Sequence, residues 1–472
     1  MRKSSLMNKA ICLFGLLLPV ILNAQIPSSE LMNLETALAL ALQQNSGLVK
    51  DGLERQRARR QLSLQARQFL PDVELGYMKN DSVTQGNSDS RVKKLSLGIN
   101  QLLFSGGKTL VAYRNARMQL DLKDYLSLST ENSLVNQVTL QFVDILKNRR
   151  ILEIQKQSYE NLTRQVEIAA LEHKLGQLRP VDYLDIQLVA SEFLLTMEDT
   201  KKKLIAGRFA LSALLYLPLE RLPLLSGSLN RDYQGIFSEL TEEDSFIPMM
   251  QSNAEEKNQQ LLSLNMEEIL ARQELKNTRL VWLPRIEARG DFSVSGEEYP
   301  LNKPAFSLGL NFKFDLPLLP SSVDLQAGRS HRDEHNTAIS SSTDVLDNLE
   351  AVLDKQSAQS SLYMKQLEKE EFRRSVFFQV RSLTQDILLT TGRVSIQRNK
   401  LAILEDKLKI LEAELNLGQI TRLAYVEADI DLAQEKISLL ESLTSLHGQE
   451  EELKTLCGFT PSGGDKESLI YE

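Results

Sequence analysis

Histidine and carboxylate spacing gives the first chemical reading. His331-Arg332-Asp333-Glu334-His335 fits H-x-x-E-H, in which two imidazoles one helical turn apart hold a zinc ion and the glutamate serves as base. A zinc centre also needs a third ligand and a walled cleft. The flanking residues, Gly328 to Ser342, are strongly polar with no apolar face, so a solvated stretch is expected there. Gly106-Gly107-Lys108-Thr109 looks like the end of a phosphate-binding loop, but the glycine required five residues before Gly107 is Leu102. His173 and His447 stand alone and are expected on the surface. The carboxylates with a regular placement are Asp182 and Asp185, six and nine residues after Gly176. The same offsets after Gly418 carry Ala424 and Glu427.

The bounds on the chain exclude whole classes. Its 472 residues carry a net charge of -8, which argues against a nucleic-acid partner, since phosphate binding wants a basic face. Arg2, Lys3 and Lys9 precede an apolar run from Ala10 to Leu22, and small or neutral residues follow up to Ala24. That order is a secretory signal, predicted over 1–24. No later stretch of ~18 apolar residues predicts a membrane helix. Cys12 leaves with the signal and Cys457 remains alone, so packing must hold the fold without an internal disulfide.

The elements that must position the carboxylates come in duplicate. Asn45 to Pro71 aligns without gaps on Asn258 to Pro284, each a helical pattern stopping at Leu-Pro. Leu175-Gly176-Gln177-Leu178 recurs as Leu417-Gly418-Gln419-Ile420. The closing stretch Leu211 to Leu219 resembles Leu453 to Pro461. Repeats are predicted over 25–227 and 253–461, with a linker at 228–252 and a tail at 462–472.

After each Leu-Pro two alternating stretches predict a strand pair, about 71–104 and about 284–316. Val73, Leu75 and Tyr77 alternate with Asp72, Glu74 and Gly76; Phe306, Leu308, Leu310, Phe312 and Phe314 alternate with polar residues or glycine. In Ile286 to Val294 the pattern is expected to break phase once, at Gly290. Four strands cannot close a barrel, so a membrane-spanning sheet must be completed by several chains, and three copies give twelve strands.

The remaining stretches are helical. Val135, Val138, Phe142 and Ile145, and Leu401, Leu404, Leu408, Leu411 and Leu415, step by three and four, the spacing of a coiled-coil seam. No proline interrupts Lys108 to Lys174, and Gly176 and Gly418 sit where a helix ends in a left-handed residue. Helical hairpin tips are predicted at about 175–182 and about 417–424. Ser307 to Gly418 is about 30 residues longer than Ser96 to Gly176, an excess placed around Pro317 to Gln359 and expected as an irregular or helical excursion, with a break at Ser340 to Thr343.

In this order the motifs resemble the TolC family of outer-membrane factors. Met32 to Leu48 resembles its opening helix, with Asn45-Ser46 where the family usually has Asn-Pro. Ala66 to Tyr77 resembles its entry to the first strand, Gln101 to Ala116 its strand exit, and the Leu-Gly turns its hairpin tips. The resemblance implies an α+β fold, internally duplicated, with four strands per chain and long coiled-coil helical hairpins. It implies a homotrimer whose twelve-stranded β-barrel sits in outer-membrane lipid above an α-helical tunnel in the periplasm. The linker and the extra residues fall in that family's equatorial region.

The implied function is passive export: a duct for an efflux pump, working with a periplasmic adaptor and an inner-membrane transporter, without cofactor or catalytic residue. A type I secretion duct and a periplasmic coiled-coil scaffold without a barrel are the competing expectations. Asp72, Glu74, Glu287, Asp291 and Asp315, with Arg289 and Lys313 among them, are expected to face the lumen. Family position makes Asp182, Asp185 and Glu427 the candidate gate, where rings of acid select cations; capping of the returning helix is the alternative role for Asp182 and Asp185. Gly176, Gln177, Leu178, Gly418, Gln419 and Ile420 are the candidate adaptor contacts, with exposed Leu and Ile as the docking feature.

Overall fold

Each half of the chain opens with a pair of short helices joined at an asparagine. In the computed structural model, residues 31–82, 90–230, 232–237, 245–316, 319–330, 334–345 and 350–459 are described. The predicted signal 1–24, the tail 462–472 and His331, Arg332 and Asp333 of the histidine motif lie outside the described residues. The first half runs α1 (Leu34–Gln44), α2 (Ser46–Arg67), β1 (Asp72–Ser82), β2 (Ser90–Ser105), α3 (Lys108–Lys174) and α4 (Pro180–Leu214). The second runs α5 (Phe246–Lys257), α6 (Gln259–Arg279), β3 (Arg285–Gly296), β4 (Lys303–Phe314), β5 (Ser321–Arg329), β6 (His335–Thr343), α7 (Glu350–Asn416) and α8 (Arg422–Leu456).

The asparagines explain the matching starts. The Asn45 side chain accepts from the Gly47 N–H at 2.7 Å, and that of Asn258 from the Leu261 N–H at 2.9 Å. Each satisfies a donor that the first helical turn leaves without an intrahelical partner.

The long helices are matched between halves. Helices α3 and α7 each have 67 residues, and α4 and α8 each have 35. At ~1.5 Å per residue the longer pair reaches ~100 Å. Helix α3 packs on α4, α7 on α8, and α3 also lies against α8. Several apolar clusters hold them. Phe142, Ile145, Leu146, Leu211 and Leu215 pack with α1, while Val380, Ile387, Leu443, Leu446 and Leu453 pack with α5 and the linker.

The sheet departs from the expected four strands per chain. Among the described residues it has six, in the order β1-β2-β3-β4-β5-β6, every neighbouring pair antiparallel. Strand β5 pairs with β4 from Ser321↔Phe314 to Arg329↔Phe306, and β6 pairs along all of β5. The extra residues of the second half therefore form a third β-hairpin, not an excursion of the helical section. Ser340 to Thr343, expected as a break, are the last residues of β6. The reason is physical: with the long helices matched pair by pair between the halves, an excess has no place among them, whereas a sheet edge accepts another hairpin.

The expected phase break at Gly290 is also absent. Ile286, Ala288, Gly290 and Phe292 face Phe312, Leu310, Leu308 and Phe306 in unbroken register. Gly290 occupies an apolar slot, where an added Cβ would lie 3.4 Å from the Leu308 side chain. The register shift lies instead in β2, between Leu102 and Phe104.

Candidate conduit surfaces and helical tips

The sheet has two chemically distinct faces because its side chains alternate. One face carries Val73, Leu75, Tyr77, Leu95, Leu97, Ile99, Phe292, Phe306, Leu308 and Leu310, and several of these are well over half exposed: Leu75 is 75% and Leu308 66% exposed. An apolar face this open suits hydrocarbon rather than water. No helix among the described residues is long and apolar enough to cross a membrane, which says nothing of a barrel.

The opposite face is polar. The register sets Asp72, Glu74, Glu287, Arg289, Asp291 and Lys313 on it. Along β3 the charges alternate in sign: Arg285 pairs with Glu287 at 2.5 Å and Arg289 with Asp291 at 3.2 Å. Asp315 lies just past β4 and meets Lys108 at 3.2 Å, bracing the strand end against the first residue of α3. Asp324 of β5 joins Glu74, Arg289 and Asp291 in lining one polar depression. Sequence reasoning missed Asp324 because it missed β5.

Between sheet and helix, Gly106 and Gly107 both have positive φ, 63° and 84°. A Cβ on Gly106 would fall 2.8 Å from that of Leu283. The phosphate-loop look-alike is thus a tight strand-to-helix corner that only glycine fits.

The helical tips are two copies of one turn. Gly176 has φ 74° and Gly418 φ 71°. The Gln177 N–H donates to the Glu172 carbonyl at 2.8 Å, and the Gln419 N–H to the Glu414 carbonyl at 2.9 Å. This is the Schellman ending, in which a left-handed glycine lets the chain close the orphan carbonyls. Leu178 and Ile420 are half-buried; the exposed apolar residues at the tips include Leu175 and Leu417, at 72% and 73%, and Val181.

The three gate candidates sit in different surroundings. Asp182, in the first turn of α4, is held in a two-pronged pair by Arg179, with both contacts at 2.8 Å. Asp185 is half-buried, and Glu427 on α8 is exposed. Asp429 faces the α3 side, where Asn161 donates to it at 3.2 Å, and burial raises its carboxyl above the ordinary range.

A tip contact that sequence reasoning missed is Arg422. It bridges the two hairpins, donating to Glu172 at 2.5 and 3.2 Å and also to Gln165. Its side chain is only 13% exposed. The signal was available: Glu172 and Arg422 lie equally far before and after the two turn glycines, with opposite charge.

His447 is buried, contrary to the surface position expected. It is 2% exposed on α8, edge-on to Tyr233, and burial lowers its pKa, keeping it neutral. Beside it, buried Glu450 accepts from the Tyr233 hydroxyl and from the Phe237 N–H, tying the linker between halves to α8. Of the histidine motif, His335 opens β6 opposite Arg329.

The whole is a two-faced, open-edged sheet mounted on paired helical hairpins. The comparisons agree. Residues 37–206 match the family model described as outer membrane efflux protein. Solved relatives of the same fold include CusC (TM-score 0.70, 15% identity, covering 90% of this chain and 92% of that one). The outer membrane protein VceC from Vibrio cholerae aligns with TM-score 0.71 at 12% identity, over 90% of this chain and 96% of that one. The CmeC outer membrane channel of Campylobacter jejuni aligns with TM-score 0.71 at 12% identity, over 92% and 87%. No curated protein matches the chain by sequence. The resemblance to TolC-family outer-membrane factors therefore holds for the fold, which is α+β and internally duplicated.

Proposed function

We propose that the chain is the outer-membrane channel subunit of a tripartite efflux pump. Three copies form the duct, which passes small molecules outward unaltered from a periplasmic adaptor and an inner-membrane transporter. The observation that carries this reading is the sheet: apolar on one face, charged on the other, and continuous through the Gly106–Gly107 corner with a ~100 Å helix. The reading assigns no catalytic residue and no cofactor. Asp185 and Glu427 form the gate ring, while Asp182, paired with Arg179, orders the α4 start beside it. Gly176, Gln177, Leu178, Gly418, Gln419 and Ile420 form the adaptor-facing tips, with Leu175 and Leu417 as their exposed apolar contacts.

Single-channel recording in planar bilayers tests the proposal. The wild type should give small, cation-selective currents, and Asp185→Ala and Glu427→Ala should raise conductance or lose selectivity. Silence from well-folded protein would leave the scaffold reading, and currents indifferent to both substitutions would remove the acidic gate. A duct for type I secretion would show itself by co-purifying with a protein-exporting transporter instead of a small-molecule pump.

A further inference from the structure

We propose that each copy contributes six strands to the barrel wall, so that three copies close eighteen strands, and that the seam joins β6 of one copy to β1 of the next. The proposal rests on the trimeric channel reading above and changes what the resemblance implies about the wall.

Strands β5 and β6 are full members of the sheet. Each makes a continuous ladder with its neighbour, and β5 covers β4 from Phe314 up to Phe306. Their nine residues each fit a tilted membrane strand, which needs about 9–11. The apolar face runs on through Val323, Leu325 and Ala327 of β5 to Ile339 of β6, with Arg329 and His335 at one end and Ser341 and Thr343 at the other as its polar margins. On the apolar side, Ile99, Leu308, Leu310, Leu325, Ala327 and Ile339 line one shallow depression crossing from β2 to β6. On the polar side, Asp324 and Gln326 continue the surface of Arg289 and Asp291.

The edges supply the rest of the argument. A β4 edge free to meet another copy does not exist, because β5 occupies it. Among the described residues β1 and β6 are the outermost strands, and a strand edge cannot stay open in hydrocarbon. Strand β1 leaves the helical end after Pro71 and β6 returns to it before α7, so β6 of one copy and β1 of the next meet antiparallel. Barrel diameter grows roughly in proportion to strand number, so this wall is about half again as wide as a twelve-stranded one. Barrels of 16–18 strands hold an open aqueous channel.

Disulfide trapping across the seam tests this. In a Cys457→Ala background, Glu74→Cys on β1 is combined in turn with Asn336→Cys, Ala338→Cys, Ser340→Cys or Ser342→Cys on β6. A second series combines Glu74→Cys with Ser307→Cys, Gly309→Cys, Asn311→Cys or Lys313→Cys on β4. After oxidation, covalent dimers and trimers should form in the β6 series and not in the β4 series, where two strands intervene. Cross-linking through β4, or intact trimers that cross-link in neither series, would overturn the eighteen-stranded wall and leave the channel standing. A protein that stays monomeric in detergent and carries no current would remove the channel reading itself.

Discussion

The two halves of the molecule agree residue for residue in their long helices and disagree in their share of the sheet. Helices α3 and α7 have 67 residues each, α4 and α8 have 35 each, yet the first half contributes two strands and the second four. The difference shows which part of the architecture tolerates insertion. Helices packed side by side share both ends, so a length change in one leaves unmatched turns on its neighbours. A sheet edge has no such partner, and a hairpin added there extends each face in phase without disturbing strands already paired.

The largest effect expected from this contrast comes from deletion. Removing about 27 residues from the middle of α7 should abolish detergent-stable trimers, whereas removing the β5–β6 hairpin, Leu319 to Val345, should leave trimers with a narrower wall. Gel mobility without boiling, together with circular dichroism, separates the two cases. Equal damage from both would break the comparison.

Next come paired core truncations. Leu211 and Leu453 lie equally far beyond Gly176 and Gly418, and both are fully buried. Leu211→Ala and Leu453→Ala should each cost about 2–5 kcal/mol and differ little from one another, as read by thermal unfolding in detergent. Unequal costs would show that the halves are alike in length but not in load.

At the tips, Arg422→Ala removes the bridge from the second hairpin to Glu172 on the first. A several-fold rise in single-channel conductance is expected, with the charge-reversed pair Glu172→Arg with Arg422→Glu restoring the wild-type value in part. Unchanged current in the single variant would confine this bridge to a structural role.

The smallest effect is a pH dependence where the halves join. Burial raises the Glu450 carboxyl above its ordinary range, against the lowering by hydrogen bonds from Tyr233 and the Phe237 and Ile236 backbone and by Lys454. A raised folded-state pKa means that the neutral acid is favoured on folding. Its contribution is complete below the ordinary carboxylate pKa and is lost as pH rises through the raised one. Thermal stability should therefore decline across that window, and Glu450→Gln should flatten the decline.

How much of this was legible follows from range. The Asn caps, the Leu-Pro stops and the turn glycines are local signals, each satisfied within a few residues, and the corresponding elements stand where those signals are. Strands β5 and β6 were hidden because the outward positions of β6 are His335, Thr337, Ile339, Ser341 and Thr343, with one large aliphatic among them. The Arg422–Glu172 bridge joins residues 250 apart, so only a comparison of the two repeats, through the matched offsets from Gly176 and Gly418, could have found it. Burial at Glu450 did leave a trace. It falls in the three-four spacing of Leu439, Leu443, Leu446, Leu453 and Cys457, and a carboxylate in that seam is a request for a buried donor, met by Tyr233.

The corner at Gly106–Gly107 has a mechanical consequence. A stiff rod ~100 Å long is a lever, and a swing of about 5° at its root carries the far end by ~9 Å. Two glycines without side-chain restraint would make a loose pivot, and such play at the root would leave the tip ill-defined. The close fit of Gly106 against Leu283, the Ser105 side chain on the Thr109 N–H and the Lys108–Asp315 pair together limit that play. The position of the tips is thus set at the opposite end of the helix, where its root meets the sheet.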